Sequence, residues 1–311
     1  MTYSYYKIKM NKIDLQIQST ASDGKYAPAK LVEMAKENGL ETIAITDHDT
    51  VNGVKEAIDK GDELGVRVIP GIEMSVHLDK KELHILGYGI DIENSRLLDN
   101  LARFQDDRVR RMQRIIENLQ KMGFKITFED ILKQAKGTMA RPHVAMAAMA
   151  NPENKPLLGG IDSVHSFIEN YLVPGKPGYA DREYVPAKEA IELIHEARGV
   201  AVWSHPAIHF DNFDQLEETL RKMISLNIDG LEAFSPSHTK ENAEKLLELA
   251  KKYELIFTAG SDFHQETPNR ETPEGQRPAQ TVGDFNTFGY NIDPVIPELD
   301  RVIKKQNQTA H

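Results

Sequence analysis

Residues 13–46 read IDLQIQSTASDGKYAPAKLVEMAKENGLETIAIT, and this stretch decides the fold class. Residues 13–17 alternate apolar and polar side chains, which is the period-two pattern of a β-strand. Residues 28–38 begin with a proline, carry apolar side chains at helical spacing and are followed by Gly39, so they predict a helix. Residues 42–46 predict the next strand. The stretch is therefore a strand–helix–strand unit.

The same alternation of strands and helices continues beyond this unit, stops near residue 93 and resumes at residue 186. Further strands are predicted at residues 66–69, 83–88, 200–203, 230–234 and 254–259, and further helices at residues 54–64, 186–197, 213–226, 241–253 and from Asp293 onward. Four strands precede the interruption and three follow it. Seven such repeats favour the α/β class and a parallel (β/α) barrel over a sandwich or a helix bundle, with functional groups at the carboxyl ends of the strands.

The interruption is predicted to be helical. Residues 97–122 have helical apolar spacing, Thr127 and Asp130 form a capping-box pattern before a second helix, and residues 141–150 predict a third. Residues 151–180 are rich in Pro and Gly and are interpreted as loop. We therefore predict a discontinuous barrel domain, residues 1–96 and 186–311, and a helical insertion, residues 97–185, that covers the barrel mouth.

The composition excludes several classes of protein. The 311 residues include 38 Lys and Arg against 48 Asp and Glu, a formal charge of −10, which argues against binding of duplex DNA. Hydrophobic residues make up 40%, enough for a globular core. No run reaches the roughly 18 apolar residues of a membrane span, and the N-terminus lacks the apolar segment of a signal peptide. We expect a cytoplasmic protein with no membrane contact.

The chain has no cysteine, so a metal site would need imidazole, carboxylate or carbonyl ligands. Groups of these types follow nearly every predicted strand, and since strand ends of one barrel meet in one cleft, a multinuclear site of Zn²⁺, Mn²⁺ or Fe²⁺ is the preferred interpretation. These groups are Asp23, Asp47, His48, Glu73, His84, His205, Glu232, Asp262 and His264.

Six ordered motifs carry a resemblance. They are DLQIQST at 14–20, SDG at 22–24, TDHDT at 46–50, PGIE at 70–73, SHP at 204–206 and GSDFH at 260–264. Together they resemble the polymerase and histidinol phosphatase (PHP) family, and RPHVA at 141–145 inside a helical insertion resembles its branch of nucleotide phosphatases and short-RNA 5′ exoribonucleases. The resemblance implies a distorted (β/α)7 barrel of the PHP type.

The resemblance also implies a trinuclear metal site. One cation would lie between Asp23, His48 and His264. A second would lie between Glu73, His84 and His205, and a third would use Glu73, Asp262 and two histidines on the first strand. Here the sequence departs from the family, because Gln16 and Gln18 stand where the family has His-x-His. A neutral amide is a weaker ligand for a transition metal than imidazole, so two cations are expected rather than three, and activity is expected to be reduced.

Arg141 and His143 of the RPH motif are the candidates for contact with substrate. A guanidinium binds phosphate oxygens in a bidentate manner, and His143 would contact the phosphate or the leaving group. His238 is a weaker substrate-binding candidate, and Lys176 and Arg182 are further possible phosphate contacts. Glu73 is assigned a catalytic role as the bridge between cations.

The function implied by the resemblance is hydrolysis of phosphate esters in nucleotides (nucleoside mono- and bisphosphates) or at the end of a short RNA, by a metal-bound hydroxide. The alternatives are a histidinol-phosphate-type phosphatase, a polymerase-associated exonuclease, and a catalytically impaired nucleotide-binding protein that lost activity with its two histidines.

Overall fold

The computed structural model describes residues 12–79, 81–134, 139–181, 185–210, 212–266 and 278–309. Its strands are β1 (Ile13–Asp14), β2 (Thr42–Ile45), β3 (Arg67–Leu78), β4 (Lys81–Tyr88), β5 (Val200–Trp203), β6 (Gly230–Phe234) and β7 (Ile256–Ala259). Its helices are α1 (Pro28–Glu37), α2 (Val54–Leu64), α3 (Ser95–Lys121), α4 (Phe128–Gln134), α5 (Arg141–Ala150), α6 (Lys155–Leu158), α7 (Val164–Tyr171), α8 (Ala187–Glu196), α9 (Phe213–Ser225), α10 (Lys240–Lys252) and α11 (Val295–Thr309).

The seven strands form one sheet in sequence order, β1 to β7, and the sheet curls into a nearly closed barrel. The predicted α/β barrel is therefore confirmed. The prediction that all strands are parallel is wrong for β4, which pairs antiparallel with both β3 and β5. The reason is that no helix separates β3 from β4, and strands joined by a short turn can only run in opposite directions.

The β3–β4 hairpin is longer than predicted. The strand expected at residues 66–69 continues to Leu78, and the two strands pair from Gly71 opposite Tyr88 to Leu78 opposite Lys81. Asp79 in the connection has a φ of 50°, a conformation that a short hairpin turn requires. The hairpin carries Glu73 and His84 on neighbouring strands of the same sheet.

The barrel closes where the chain after β1 meets the chain after β7. The Leu15 amide donates to the Ala259 carbonyl at 3.1 Å, and the Gln18 amide donates to the Phe263 carbonyl at 3.0 Å. Gly260 makes this approach possible, since a Cβ at this position would lie 2.6 Å from the Gln16 amide nitrogen. Backbone contact at this seam fixes the segment that carries both glutamines.

Gly260→Ala is expected to lower the free energy of unfolding by about 3 kcal/mol, the upper end of the usual cost of overpacking. The added methyl group would meet Gln16 backbone atoms, which cannot rotate away as a flexible side chain could. Urea denaturation followed by circular dichroism would measure the change. A change below about 0.5 kcal/mol would mean that the two segments are not in close contact.

The insertion contains more helix than predicted. Residues 151–180, expected to be loop, include the short helices α6 and α7, and Phe167 of α7 is fully buried among α3, α4 and α5 side chains. The capping box is confirmed, because the Asp130 amide donates to Thr127 Oγ1 at 3.2 Å and the Thr127 amide donates to Asp130 Oδ2 at 3.1 Å. The first half of α3 packs in the barrel core and the second half in the insertion core, so α3 joins the two.

The predicted tail helix is confirmed as α11, and its Val295, Leu299 and Val302 pack against Ile13 of β1 and the nearby Leu15. Among the described residues, no helix combines the length and the apolar character needed to cross a membrane.

Candidate active site

Glu73 lies fully buried on β3 at the centre of a cluster of polar side chains from four segments. Its Oε1 lies 2.9 Å from His84 Nδ1 and 3.2 Å from His205 Nε2, and it accepts a hydrogen bond from Ser204 Oγ at 3.1 Å. Burial would raise the pKa of Glu73, but the nearby His48 and His84 rings lower it well below its usual range. Glu73 is therefore a carboxylate around which imidazoles gather.

The ligand atoms of Glu73, His84 and His205 are spaced as they would be around one cation. His84 Nδ1 lies 3.3 Å from His205 Nε2, and both lie near Glu73 Oε1. A tetrahedral cation with bonds of about 2.1 Å separates its ligands by about 3.4 Å. His48 Nδ1 lies 3.8 Å from Glu73 Oε2 on the other side of the carboxylate. The donor set therefore fits a divalent cation.

A second cluster brings together Asp23, His48 and His264, whose ligand atoms all lie within 4.8 Å of one another. Asp23 Oδ1 and His48 Nδ1 are buried and make no hydrogen bond to any described residue, as expected of atoms that face a cation. Burial would lower the pKa of His264, but the Asp23 and Asp262 carboxylates raise it to about 9. The carboxylates thus favour a positive charge here.

Asp262 lies beside His264, with its Oδ1 3.8 Å from His264 Nδ1, and has a φ of 48°. Burial raises the pKa of Asp262, an effect that the His264 ring only partly offsets. Of the seven predicted metal ligands, the structure thus brings Glu73, His84 and His205 into one group and Asp23, His48 and His264 into another, with Asp262 next to the second. The two groups adjoin at His48, which also has a ligand atom within 4.8 Å of those of Glu73 and His84.

Gln16 and Gln18 also contact Glu73, on its other oxygen. Gln18 Nε2 donates to Glu73 Oε2 at 2.6 Å, and Gln16 Nε2 donates to the same oxygen at 3.2 Å and to Ser204 Oγ at 3.0 Å. Because an ionised carboxylate only accepts hydrogen bonds, each amide must turn its NH₂ group toward it. The segment after β1 therefore offers hydrogen-bond donors to Glu73 Oε2, while Gln16 Oε1 is buried and makes no hydrogen bond to any described residue.

His205 has a φ of 29°, an uncommon conformation for a residue other than glycine, and its main chain contacts strand β6. Its amide donates to the buried Glu232 carboxyl at 2.9 Å, and burial raises the pKa of Glu232 well above its usual value. His238, a predicted substrate-binding residue, is only 1% exposed, and its Nδ1 lies 3.0 Å from the Ala233 carbonyl oxygen. Burial lowers the pKa of His238 to about 4, so the structure places a neutral ring in the protein interior behind the site.

Arg141 and His143 begin α5 in the insertion. His143 is 5% exposed, and its Nδ1 accepts the Ala140 amide hydrogen at 3.1 Å. Burial lowers the pKa of His143, an effect that the Asp23 carboxylate partly offsets. Arg141 is partly exposed and forms no ion pair with another described residue. Arg182 lies outside the described residues.

Sequence reasoning missed two buried carboxylates and one arginine. Asp14 accepts hydrogen bonds from the Ser261 amide and hydroxyl and from the Gly283 amide, and burial raises its pKa to about 6. Asp49 pairs with Arg108 of α3. Asp49 belongs to the TDHDT motif at residues 46–50, and its place in that motif could have identified it. Arg108 lies in a highly charged helix where no pattern distinguishes it from surface arginines.

The PHP domain model matches residues 14–260. A 5′-3′ exoribonuclease of Haemophilus influenzae is 30% identical over 257 residues, which cover 81% of this chain and 90% of that protein. A 3′,5′-nucleoside bisphosphate phosphatase of Chromobacterium violaceum is 27% identical over 257 residues, covering 82% and 88%.

Solved structures show the same similarity. A proposed metal-dependent phosphoesterase of Bifidobacterium adolescentis has a TM-score of 0.72 and 28% sequence identity, with 93% of this chain and 96% of that chain covered. The similarity extends over the barrel and the insertion together.

Proposed function

The chain belongs to the PHP domain family, and we propose that it is a metal-dependent phosphoesterase acting on nucleotides or on the end of a short RNA. The observation that carries the proposal is the gathering of imidazole and carboxylate ligand atoms around Glu73 and Asp23, under an insertion that bears Arg141 and His143. Two proteins of similar sequence are an exoribonuclease and a nucleoside bisphosphate phosphatase. Their substrates share a phosphate ester next to a nucleoside.

The cations would be held by two groups of residues, Asp23, His48 and His264 in one, and Glu73, His84 and His205 in the other. Bound divalent cations would lower the pKa of a water nucleophile and neutralise the phosphoryl oxygens. Zn²⁺, Mn²⁺ and Fe²⁺ all suit these nitrogen and oxygen donors. We propose two cations, because the NH₂ groups of Gln16 and Gln18 face Glu73 Oε2 and a neutral amide is a weaker ligand for a transition metal than imidazole.

Side chains of the protein would bind the substrate, stabilise charge and hold the metal ligands. The planar guanidinium of Arg141 would bind phosphoryl oxygens and stabilise the negative charge that develops on them. His143, with its pKa lowered by burial, would contact the phosphate or the leaving oxygen as a neutral ring. Glu73 would hold its imidazole neighbours in place. The insertion would restrict the substrate to a nucleotide or a strand end.

The test is a hydrolysis screen with purified protein and added Mn²⁺ or Zn²⁺, over nucleoside monophosphates, 3′,5′-bisphosphates, short RNA with a 5′-phosphate, and histidinol phosphate. The expected result is phosphate or nucleotide release from the nucleotide substrates and little from histidinol phosphate. Preferential hydrolysis of histidinol phosphate would contradict the proposed substrate class. Tight nucleotide binding without hydrolysis would contradict the proposed activity.

Arg141→Ala is expected to lower kcat by about 10²-fold or more, the usual effect of removing a group that stabilises transition-state charge. Steady-state kinetics on the best substrate of the screen would measure it. Arg301→Ala is a suitable control, because Arg301 is an exposed arginine on α11 that pairs with Glu298 one turn away. Equal kinetics in the two variants would remove Arg141 from the reaction.

A further inference from the structure

Arg108 of α3 joins the insertion to the chain segment that carries His48. Its side chain is 11% exposed. Nε donates to Asp49 Oδ2 at 2.9 Å, Nη2 donates to the same oxygen and to Ser75 Oγ at 3.1 Å, and Nη1 donates to the Met139 carbonyl at 3.4 Å. One guanidinium thus contacts the loop after β2, strand β3 and the residues that lead into α5.

Asp49 is the barrel residue that Arg108 contacts, and its own hydrogen bonds hold it rigidly. It is fully buried, follows the candidate ligand His48 directly and has a φ of 50°. Its amide donates to the Glu73 carbonyl at 2.9 Å, and its Oδ1 accepts the Ser75 amide at 2.9 Å. A non-glycine residue in this conformation is strained by about 1–2 kcal/mol, so its contacts must hold it. Arg108 therefore binds a residue whose main chain touches Glu73.

The Met139 contact connects the same guanidinium to the candidate phosphate-binding residues. Met139 precedes Ala140, the residue that caps α5, and the Ala140 amide donates to the His143 ring at 3.1 Å. The positive charge of Arg108 also lowers the pKa of His143, an effect secondary to burial and to the opposing pull of Asp23. Arg108 of α3 therefore holds the residues that lead into α5.

We propose that Arg108 is a positioning residue that sets the place of Arg141 and His143 relative to the candidate metal ligands. The inference rests on the proposed function, since it assigns Arg108 the task of aligning the phosphate-binding residues with the cations. Arg108 acts through Asp49 and Met139, because Nε and Nη2 bind the Asp49 carboxylate and Nη1 binds the Met139 carbonyl.

Lysine is the informative substitution. Arg108→Lys keeps a positive charge for Asp49, but a single ammonium cannot reproduce the planar fork that reaches Asp49, Ser75 and Met139 together. A displacement of about 1 Å at a catalytic group can cost up to 10²-fold in rate. We therefore expect kcat/KM for a nucleotide to fall about tenfold, while metal content measured by elemental analysis stays the same.

A double-mutant cycle with Arg141 separates positioning from general stabilisation. If Arg108 acts through Arg141, Arg108→Lys lowers kcat/KM about tenfold in the native background but less than about twofold in the Arg141→Ala background, because coupled residues are not additive. Equal effects in both backgrounds would overturn the proposal. Arg103→Lys is the matched control, since Arg103 lies on the same helix and pairs with Glu189 of α8 at the exposed surface.

Binding of inorganic phosphate to the metal-loaded protein, measured by calorimetry, keeps the test independent of hydrolysis. If no ester is hydrolysed but phosphate binding shows the same coupling between Arg108 and Arg141, the proposed function fails and the positioning role stands. If esters are hydrolysed and neither readout shows coupling, only the positioning role fails. Absence of both hydrolysis and phosphate binding would overturn the proposed function and the positioning role.

If Arg108→Lys does not fold, the Arg108→Gln, Asp49→Asn double variant replaces it, because two amides can pair without a buried charge.

Discussion

Dialysis of the protein against a chelator should lower its rate of phosphate-ester hydrolysis by about 10³-fold or more. Divalent cations contribute several kcal/mol of transition-state stabilisation, and each 1.4 kcal/mol corresponds to about a factor of ten in rate. Without cations, the acidic Glu73, Asp23 and Asp262 would repel the phosphate of a substrate.

The measurement pairs hydrolysis rate with elemental analysis before dialysis, after dialysis and after addition of Mn²⁺, Zn²⁺ or Fe²⁺. Thermal melting of the dialysed protein is the control for loss of fold, and added cation should raise the melting temperature, because a ligand that binds the folded state stabilises it. Undiminished hydrolysis by protein shown to contain no metal would exclude metal-dependent chemistry. Restoration by one cation and not by the others would identify the ion that the site prefers.

The barrel could be predicted because its strands and helices have separate hydrophobic periods. The helical spacing at residues 54–64 predicts α2 with its observed bounds, whereas the alternation at residues 13–17 predicts a strand of which β1 comprises only Ile13–Asp14. The β3–β4 hairpin could not be predicted in the same way. Its connection, near Asp79, lacks the Asn-Gly or Asp-Gly pair that marks a tight turn, so the two strands were expected as separate parallel elements.

The gathering of side chains around Glu73 could be predicted from the sequence, and their hydrogen bonds could not. Position at a strand end predicted that Glu73 and His84 would lie close together, since neighbouring strands of one barrel share a rim. Whether Gln16 offers its oxygen or its NH₂ group depends on the charge it faces, which only the three-dimensional structure supplies. Arg108 could not be singled out, because an ion pair between α3 and the loop after β2 leaves no periodic trace in the sequence.

Replacing both glutamines by histidine, Gln16→His with Gln18→His, should add one cation per chain and raise turnover on the order of tenfold. Both amides already point at Glu73 Oε2, as side chains two residues apart on an extended segment do. Two imidazoles there would offer lone pairs in place of hydrogen-bond donors, and with Glu73 and Asp262 they would complete a third ligand set. The native chain is expected to bind two cations and the variant three.

The matched control is Gln16→Ala with Gln18→Ala, which removes the amide donors from Glu73 and supplies no ligand. It should bind no additional cation, so a gain seen only in the histidine variant comes from imidazole coordination rather than from release of Glu73. Elemental analysis and nucleotide hydrolysis are measured side by side in the three proteins. Three cations in the native chain would show that the amide oxygens do serve as ligands. A histidine variant that gains neither metal nor rate would show that the segment after β1 does not complete a metal site, because the pocket beside Glu73 cannot accept the ion.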